Sequence, residues 1–141
     1  HKMIVIEKKI RCNNGKLFNI LNDINKYPYF FEGCSSGKKT NISKSTYDGT
    51  LNINFMDKII ELKTKNKILD NKLIYFNLVD GPFKRLNGFW SLTNIDENYT
   101  LVKFNIDYEL KNFFIDKASK LISKTIIDSL VNNFKIKVEK L

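Results

Sequence analysis

The sequence predicts an α+β fold in which a curved antiparallel sheet of about seven strands wraps a long C-terminal helix, with two short helices after the first strand. Three observations lead there. Residues 3–10 alternate apolar and polar positions with period two. From about Gly37 to Leu110, turn signals follow one another too closely for helical crossovers, which favours an antiparallel meander. Residues 113–141 contain neither Pro nor Gly, and their apolar positions step by three and four.

In the first strand Ile4, Ile6 and Ile10 share one face, with Val5, Glu7 and Lys9 on the other. Asn13 or Asn14 then offers an N-cap, and Leu17, Phe18, Leu21 and Ile24 recur at helical spacing until Tyr27-Pro28 stops the pattern. Pro28 can open a second short helix, because a proline in the first turn forfeits no helical hydrogen bond, and Gly33 ends it. Turn signals stand at Tyr47-Asp48-Gly49, Asp70-Asn71, Asp80-Gly81-Pro82 and Asp96-Glu97-Asn98. Between them, faces come from Leu51-Ile53-Phe55, Ile60-Leu62-Thr64, Leu73-Tyr75, Phe83-Leu86, Phe89-Ser91 and Val102-Phe104-Ile106-Tyr108, though the inward side is ambiguous for several. The last segment is expected as one helix about 40 Å long. A ten-residue strand spans roughly 33 Å, so the sheet can grip it. The helix's apolar row is broad and drifts around its axis, as it does where one stretch packs on the sheet and another covers the short helices or a cavity.

At 141 residues and 16.5 kDa, with 43% hydrophobic and 13% aromatic side chains, the chain suits one core. Residues 3–141 are read as a single domain, with His1-Lys2 a cloning remnant ahead of a start at Met3. No apolar run approaches the ~20 residues of a membrane span, and a cytoplasmic location is expected. The formal charge of +9 invites an anionic partner. Against that, Arg occurs only at Arg11 and Arg85, Ala118 is the sole alanine, and abundant Lys, Asn, Ile and Phe are what an AT-rich genome encodes. Both origins of the charge stay open: compositional drift over a solvated surface, or contact with an anion. A DNA partner is not expected, because base readers favour the arginine fork. The candidate anionic contacts are Lys84-Arg85, Lys38-Lys39, and Lys117, Lys120 and Lys124, the last three sharing a helix face by their spacing.

The only histidine is His1, so Ser-His and Cys-His triads are not available, and no phosphate-cradling glycine loop or H-E-x-x-H occurs. A carboxylate pair from Asp80, Asp107 and Glu109 is conceivable, yet Asp80 sits in a turn and the other two alternate along a strand. Cys12 and Cys34 lack zinc spacing and read as free thiols. No metal, cofactor or catalytic residue is therefore expected. The aromatic residues around Trp90 either fill the core or line an apolar cavity between sheet and helix. Tyr27-Pro28-Tyr29-Phe30-Phe31 is either a tight corner or a gate.

Three motifs then bear on family. They are Asp23-x-x-x-Tyr27-Pro28-x-Phe30-x-x-x-Cys34-Ser35, Leu78-Val79-Asp80-Gly81-Pro82-Phe83-Lys84-x-Leu86-x-Gly88-x-Trp90, and Val102-x-Phe104-x-Ile106-Asp107-Tyr108-Glu109. With the element order, they resemble the RatA and coenzyme Q-binding protein family of the START-like, helix-grip superfamily, nearest its bacterial ribosome association toxin branch. The resemblance runs from Met3 to about Lys140; before Cys34 this chain has Glu32-Gly33 where relatives often carry Pro-Trp or Pro-Gly. It implies two functions. One is a non-enzymatic binder of ubiquinone or a related polyprenyl quinone that supports respiration and quinone synthesis. The other is association with the large ribosomal subunit, blocking subunit joining. For the first, Phe83, Trp90, Phe104, Tyr108, Phe114, Leu121 and Ile122 are expected to line the cavity, with Tyr27, Pro28 and Phe31 at its mouth. The lysines would then dock the protein on an anionic surface of the inner membrane; for the second they would meet ribosomal phosphates.

Overall fold

The computed structural model describes residues 2–55, 57–112 and 122–141. β1 (Lys2–Ile10) leads to α1 (Asn14–Asn22), a 3-10 turn (Ile24–Lys26) and α2 (Tyr27–Phe30). Then come β2 (Cys34–Asn41), β3 (Thr46–Phe55), β4 (Lys58–Leu69), β5 (Leu73–Asp80), β6 (Phe83–Asn94), β7 (Thr100–Leu110) and α3 (Lys124–Glu139). The strands form one antiparallel sheet in the order β1-β7-β6-β5-β4-β3-β2, so β2 to β7 are a meander and β1 pairs with its last strand. This is the helix-grip arrangement the sequence predicts.

Local chemistry explains most boundaries. Asn13 caps α1 by accepting the Lys16 N–H at 3.2 Å, and Leu17, Phe18 and Leu21 bury the helix's inner stripe. Gly33 follows α2 at φ +87°, a conformation that costs other residues dearly. Asp70 and Asn71, both at φ +52°, are the central residues of the β4–β5 turn, closed by the Lys72 N–H donating to the Leu69 carbonyl at 3.0 Å. Gly37 serves close packing instead. A Cβ there would lie 1.9 Å from the Ile24 carbonyl oxygen, so the 3-10 turn sits directly on the β2 backbone.

Three expectations are corrected. Tyr47-Asp48-Gly49 is not a turn but lies within β3, paired with both β2 and β4. The chain reverses earlier, where the Ser43 hydroxyl accepts the N–H groups of Ser45 and Thr46 at 3.3 and 3.1 Å. Phe83-Leu86 and Phe89-Ser91 belong to one uninterrupted strand, β6. The final helix is not continuous from residue 113: Ser123 is extended, at φ −123° and ψ 163°, and its hydroxyl accepts the Ile126 N–H at 3.2 Å as an N-cap. Hence α3 is about 24 Å long rather than 40 Å, and residues 113–121 lie outside the described ones.

α3 packs against β1 and α2. Val131, Phe134 and Val138 join Ile4, Ile6, Ile10 and Val102 in the core. The two elements are also stitched at their edges. Lys8 Nζ pairs with Asp128 at 3.0 Å, and Arg11 donates its backbone N–H to the Glu139 carboxylate at 2.8 Å and its guanidinium to the Glu139 carbonyl at 3.1 Å.

Candidate functional site

On the inward face of β3 stand Tyr47, Gly49, Leu51 and Ile53; opposite them on β4 stand Asn66, Thr64, Leu62 and Ile60. These side chains, with others from β5 to β7, border an apolar cavity closed on the far side by α3. It has two neighbouring compartments, of about 380 and 240 Å³, sharing Ile53, Leu62, Leu86, Ile106, Ile127 and Leu130 as common wall. The larger lies toward Pro82, Phe83, Leu110 and Ile122; the smaller lies beneath Ile24, Tyr27 and Phe31.

The expected cavity residues fall into three groups. Phe83, Tyr108 and Ile122 line the larger compartment, and Tyr27, Phe31, Trp90 and Phe104 the smaller. Phe114 and Leu121 lie outside the described residues. Pro28 lines neither compartment: it is solvent-exposed in the first turn of α2, where its missing N–H is harmless. The gate reading of Tyr27 is also corrected, since its side chain is buried and its hydroxyl donates to the Leu21 carbonyl. The missed wall residues Ile53, Leu62, Leu86, Ile106, Ile127 and Leu130 carried a signal, the period-two or helical apolar repeat, but no mark of which repeat faced open space.

Aromatic rings separate this cavity from the packed core. Phe31 stacks on Phe134 at 5.0 Å and 4°, and Trp90 meets Phe31, Phe134 and Phe104 at 6.1, 5.9 and 4.4 Å. Phe76 continues the row against Phe104 at 5.9 Å. Stacked and tilted contacts of this kind hold rings in place beyond their area burial. Tyr108 also has a positioning bond, from its hydroxyl to the Ile122 carbonyl at 3.0 Å, ahead of the α3 cap.

The cavity's phenol and thiol groups are held protonated by burial. Burial pushes the Tyr47 phenol well up, and it raises the Tyr27 phenol as well, with help from Tyr47, Cys34 and Asp23. The Cys34 thiol is likewise raised by burial, against a weaker opposing backbone hydrogen bond with Ser36. Near neutral pH these groups therefore present hydrogen-bonding O–H and S–H groups to the cavity. Glu32 stands at the rim of both compartments. The conceivable carboxylate pair is engaged elsewhere: Asp107 binds Arg85 in a two-pronged pair at 2.9 and 3.2 Å, and Glu109 meets Lys84 at 3.8 Å. Among the described residues no three His, Cys, Asp or Glu side chains converge to hold a metal, and Cys12 and Cys34 are free thiols.

The family model described as "Polyketide cyclase / dehydrase and lipid transport" matches residues 15–135. The chain belongs to this family. Among its curated relatives, the ribosome association toxin RatA of Escherichia coli is 26% identical over 88% of this chain and 78% of its own length. RatA of Vibrio cholerae is 29% identical over 84% and 83%. Solved structures share the fold. A Thermus thermophilus protein superposes with a TM-score of 0.82 at 18% identity, covering 97% of both chains. A START superfamily protein from Mycobacterium smegmatis scores 0.74 at 14% over 98% and 94%, and the Zhui aromatase/cyclase from Streptomyces 0.74 at 10% over 99% and 89%. At these identities the likeness is one of fold. In this member, the described helices include none long and apolar enough to cross a membrane.

The expected anionic contacts are dispersed. Lys84 and Arg85 are paired as above, Lys39 turns its Nζ to the Asn22 carbonyl at 3.0 Å and over the Tyr47 ring at 4.3 Å, and Lys38 lies on the same strand, β2. Lys124 is exposed at the start of α3, while Lys117 and Lys120 lie outside the described residues. A basic row that sequence reading overlooked runs along the outward face of β4: Lys63, Lys65 and Lys67 are all exposed, with Glu61 holding Lys63 at 3.5 Å. Its alternation with Leu62, Thr64 and Asn66 was visible in sequence, but only the sheet shows that the lysines share the solvent side.

Proposed function

We propose that this protein is a non-enzymatic binder of a polyprenyl quinone such as ubiquinone, or of a related isoprenoid lipid. The apolar cavity carries this reading. Its larger compartment alone, about 380 Å³, falls in the size range of small-molecule pockets. Its walls are almost entirely hydrocarbon and aromatic, and its hydroxyl and thiol groups are neutral. Burying one five-carbon isoprene unit contributes roughly 3 kcal/mol before ordering costs, so no charged catalyst is needed for useful affinity. The lipid transport in the matched family's description agrees with this use.

The test is native mass spectrometry of protein purified from a quinone-producing host. A co-purifying polyprenyl quinone, absent from a Leu62→Trp variant that fills the common wall, is the expected result. A protein that emerges empty and takes up no added short-chain ubiquinone overturns the proposal.

A second reading is association with the ribosome, taken here to be at its large subunit; the ribosome association in the relatives' names and the β4 lysine row support the coarser part of it. Alternate strand residues stand roughly 6.6 Å apart, so three exposed lysines present a line of charge that a phosphate backbone can meet. On this reading the protein co-sediments with large subunits at low salt, binding falls steeply as salt rises, and a triple Lys63→Glu, Lys65→Glu, Lys67→Glu change abolishes it. Co-sedimentation untouched by salt or by the triple change excludes this surface.

A further inference from the structure

Two polar residues interrupt the apolar inward row of β4, which otherwise reads Ile60, Leu62 and Ile68. They are Thr64 and Asn66, and Asn66 lies directly across the ladder from Tyr47 on β3. Asn66 is 8% and Tyr47 2% exposed, yet both border the smaller compartment together with Thr64. A buried polar cluster is costly unless its members are satisfied. This one is satisfied only in part. Asn66 Nδ2 donates to Thr64 Oγ1 at 2.9 Å and to the Tyr47 carbonyl at 3.4 Å, and because that carbonyl can only accept, the amide's orientation is settled. Left over are Asn66 Oδ1, an acceptor, and the Tyr47 hydroxyl, neither of which bonds to any described residue, together with the Thr64 hydroxyl proton. The neighbouring position is a glycine. A Cβ on Gly49 would lie 3.1 Å from both Asn66 Nδ2 and Thr64 Oγ1 and 2.8 Å from Ile24 Cδ1, so a side chain there would press directly on this corner.

From this geometry we infer that the Tyr47–Thr64–Asn66 corner is the head-group site of the cavity and takes a hydroxylated ring, a quinol or phenol, in preference to a fully oxidised quinone. A ring hydroxyl donates to Asn66 Oδ1 while its oxygen accepts from Tyr47 or Thr64, matching donor to acceptor at each atom. A quinone carbonyl can accept from Tyr47 but sets an acceptor against Asn66 Oδ1, which stays unpaired. The apolar walls toward Leu62, Leu86 and Ile127 then hold the tail.

The inference rests on the lipid reading, and the test separates the two. Affinities of the whole protein are measured by calorimetry for three probes with one tail: decyl-hydroquinone under anaerobic reducing conditions, decyl-benzoquinone, and decylbenzene. Expected are a difference of about tenfold between the quinol and decylbenzene with the quinone between them, and a loss of about three- to tenfold for the quinol on Tyr47→Phe or Asn66→Leu, with the quinone weakened by Tyr47→Phe only and decylbenzene by neither. Gly49→Ala keeps every polar atom but crowds Asn66 and Thr64, and is expected to weaken the quinol more than decylbenzene; it serves if Asn66→Leu fails to fold. Equal affinities for the three probes, or variants that lower all three alike, overturn the head-group site while leaving the lipid reading intact. No binding of any probe overturns both.

Discussion

Along α3 the C-terminal half buries its apolar side chains almost completely, with Val131, Phe134 and Val138 at 2, 0 and 3% exposure, whereas Ile126, Ile127 and Leu130 in the preceding turns stay partly exposed and border the cavity. The two halves share one helical periodicity. What differs is what stands opposite: β1, α2 and the ring of Phe31 against the first, and open space below β3 and β4 against the second. An apolar stripe therefore tells that a face turns inward, not that the space it meets is filled. The packed half is also fastened by Arg11, Glu139 and Lys137, the last donating to the Tyr29 carbonyl at 2.8 Å, so the cavity opens from a rigid base.

The contrast can be broken most sharply by truncation. Phe134→Ala removes a fully buried ring touching three other aromatics and is expected to cost about 4 kcal/mol in urea unfolding, against about 1 kcal/mol for Ile127→Ala, whose side chain already borders open space. Equal losses would erase the distinction. Filling is the converse. Leu62→Trp is expected to shift stability by no more than about 1 kcal/mol while lowering decyl-benzoquinone uptake about tenfold or more, because the added ring occupies cavity rather than core.

Alkali sharpens the comparison from another side. The Tyr27 and Tyr47 phenols and the Cys12 and Cys34 thiols are all held above their ordinary values, chiefly by burial. The folded state thus keeps protons that the unfolded chain releases, so stability is fully present below the ordinary thiol and phenol values and falls as pH rises through them. Denaturant melts from about pH 7 to 11 should show that fall, and Tyr47→Phe should flatten its upper part. A slope unchanged in the variant would mean that Tyr47 ionises freely in the fold. The smallest effect belongs to the surface: Lys8→Ala, which breaks the partly exposed Lys8–Asp128 pair, should change stability by about 0.5 kcal/mol or less, measured in the same urea melts.

Much of this was legible beforehand. The isoleucine alternation of β1, the Asn13 cap and the Asp70-Asn71 turn all act locally, and local propensity and tertiary structure agree there. The failures at Asp48-Gly49 and at Ser123 have one cause. Gly49 looked like turn chemistry but serves the close approach of Ile24, and Ser123, inside a run free of Pro and Gly that read as one helix, caps a helix. In the site, Phe83, Trp90 and Phe104 were found because aromatic density marks them, while Leu62 and Ile106 were lost among similar aliphatic residues.

By itself the sequence determined the fold class and the family, because periodicity and motif are properties of the chain read in order. Only the tertiary structure decided that β3 and β4 face a cavity, that Tyr47, Thr64 and Asn66 meet at one corner of it, and that Lys63, Lys65 and Lys67 share the opposite side. The physical reason is register: Tyr47 and Asn66 are partners across a ladder although far apart in the chain, and no local pattern states which pair will meet or whether the space above them is filled.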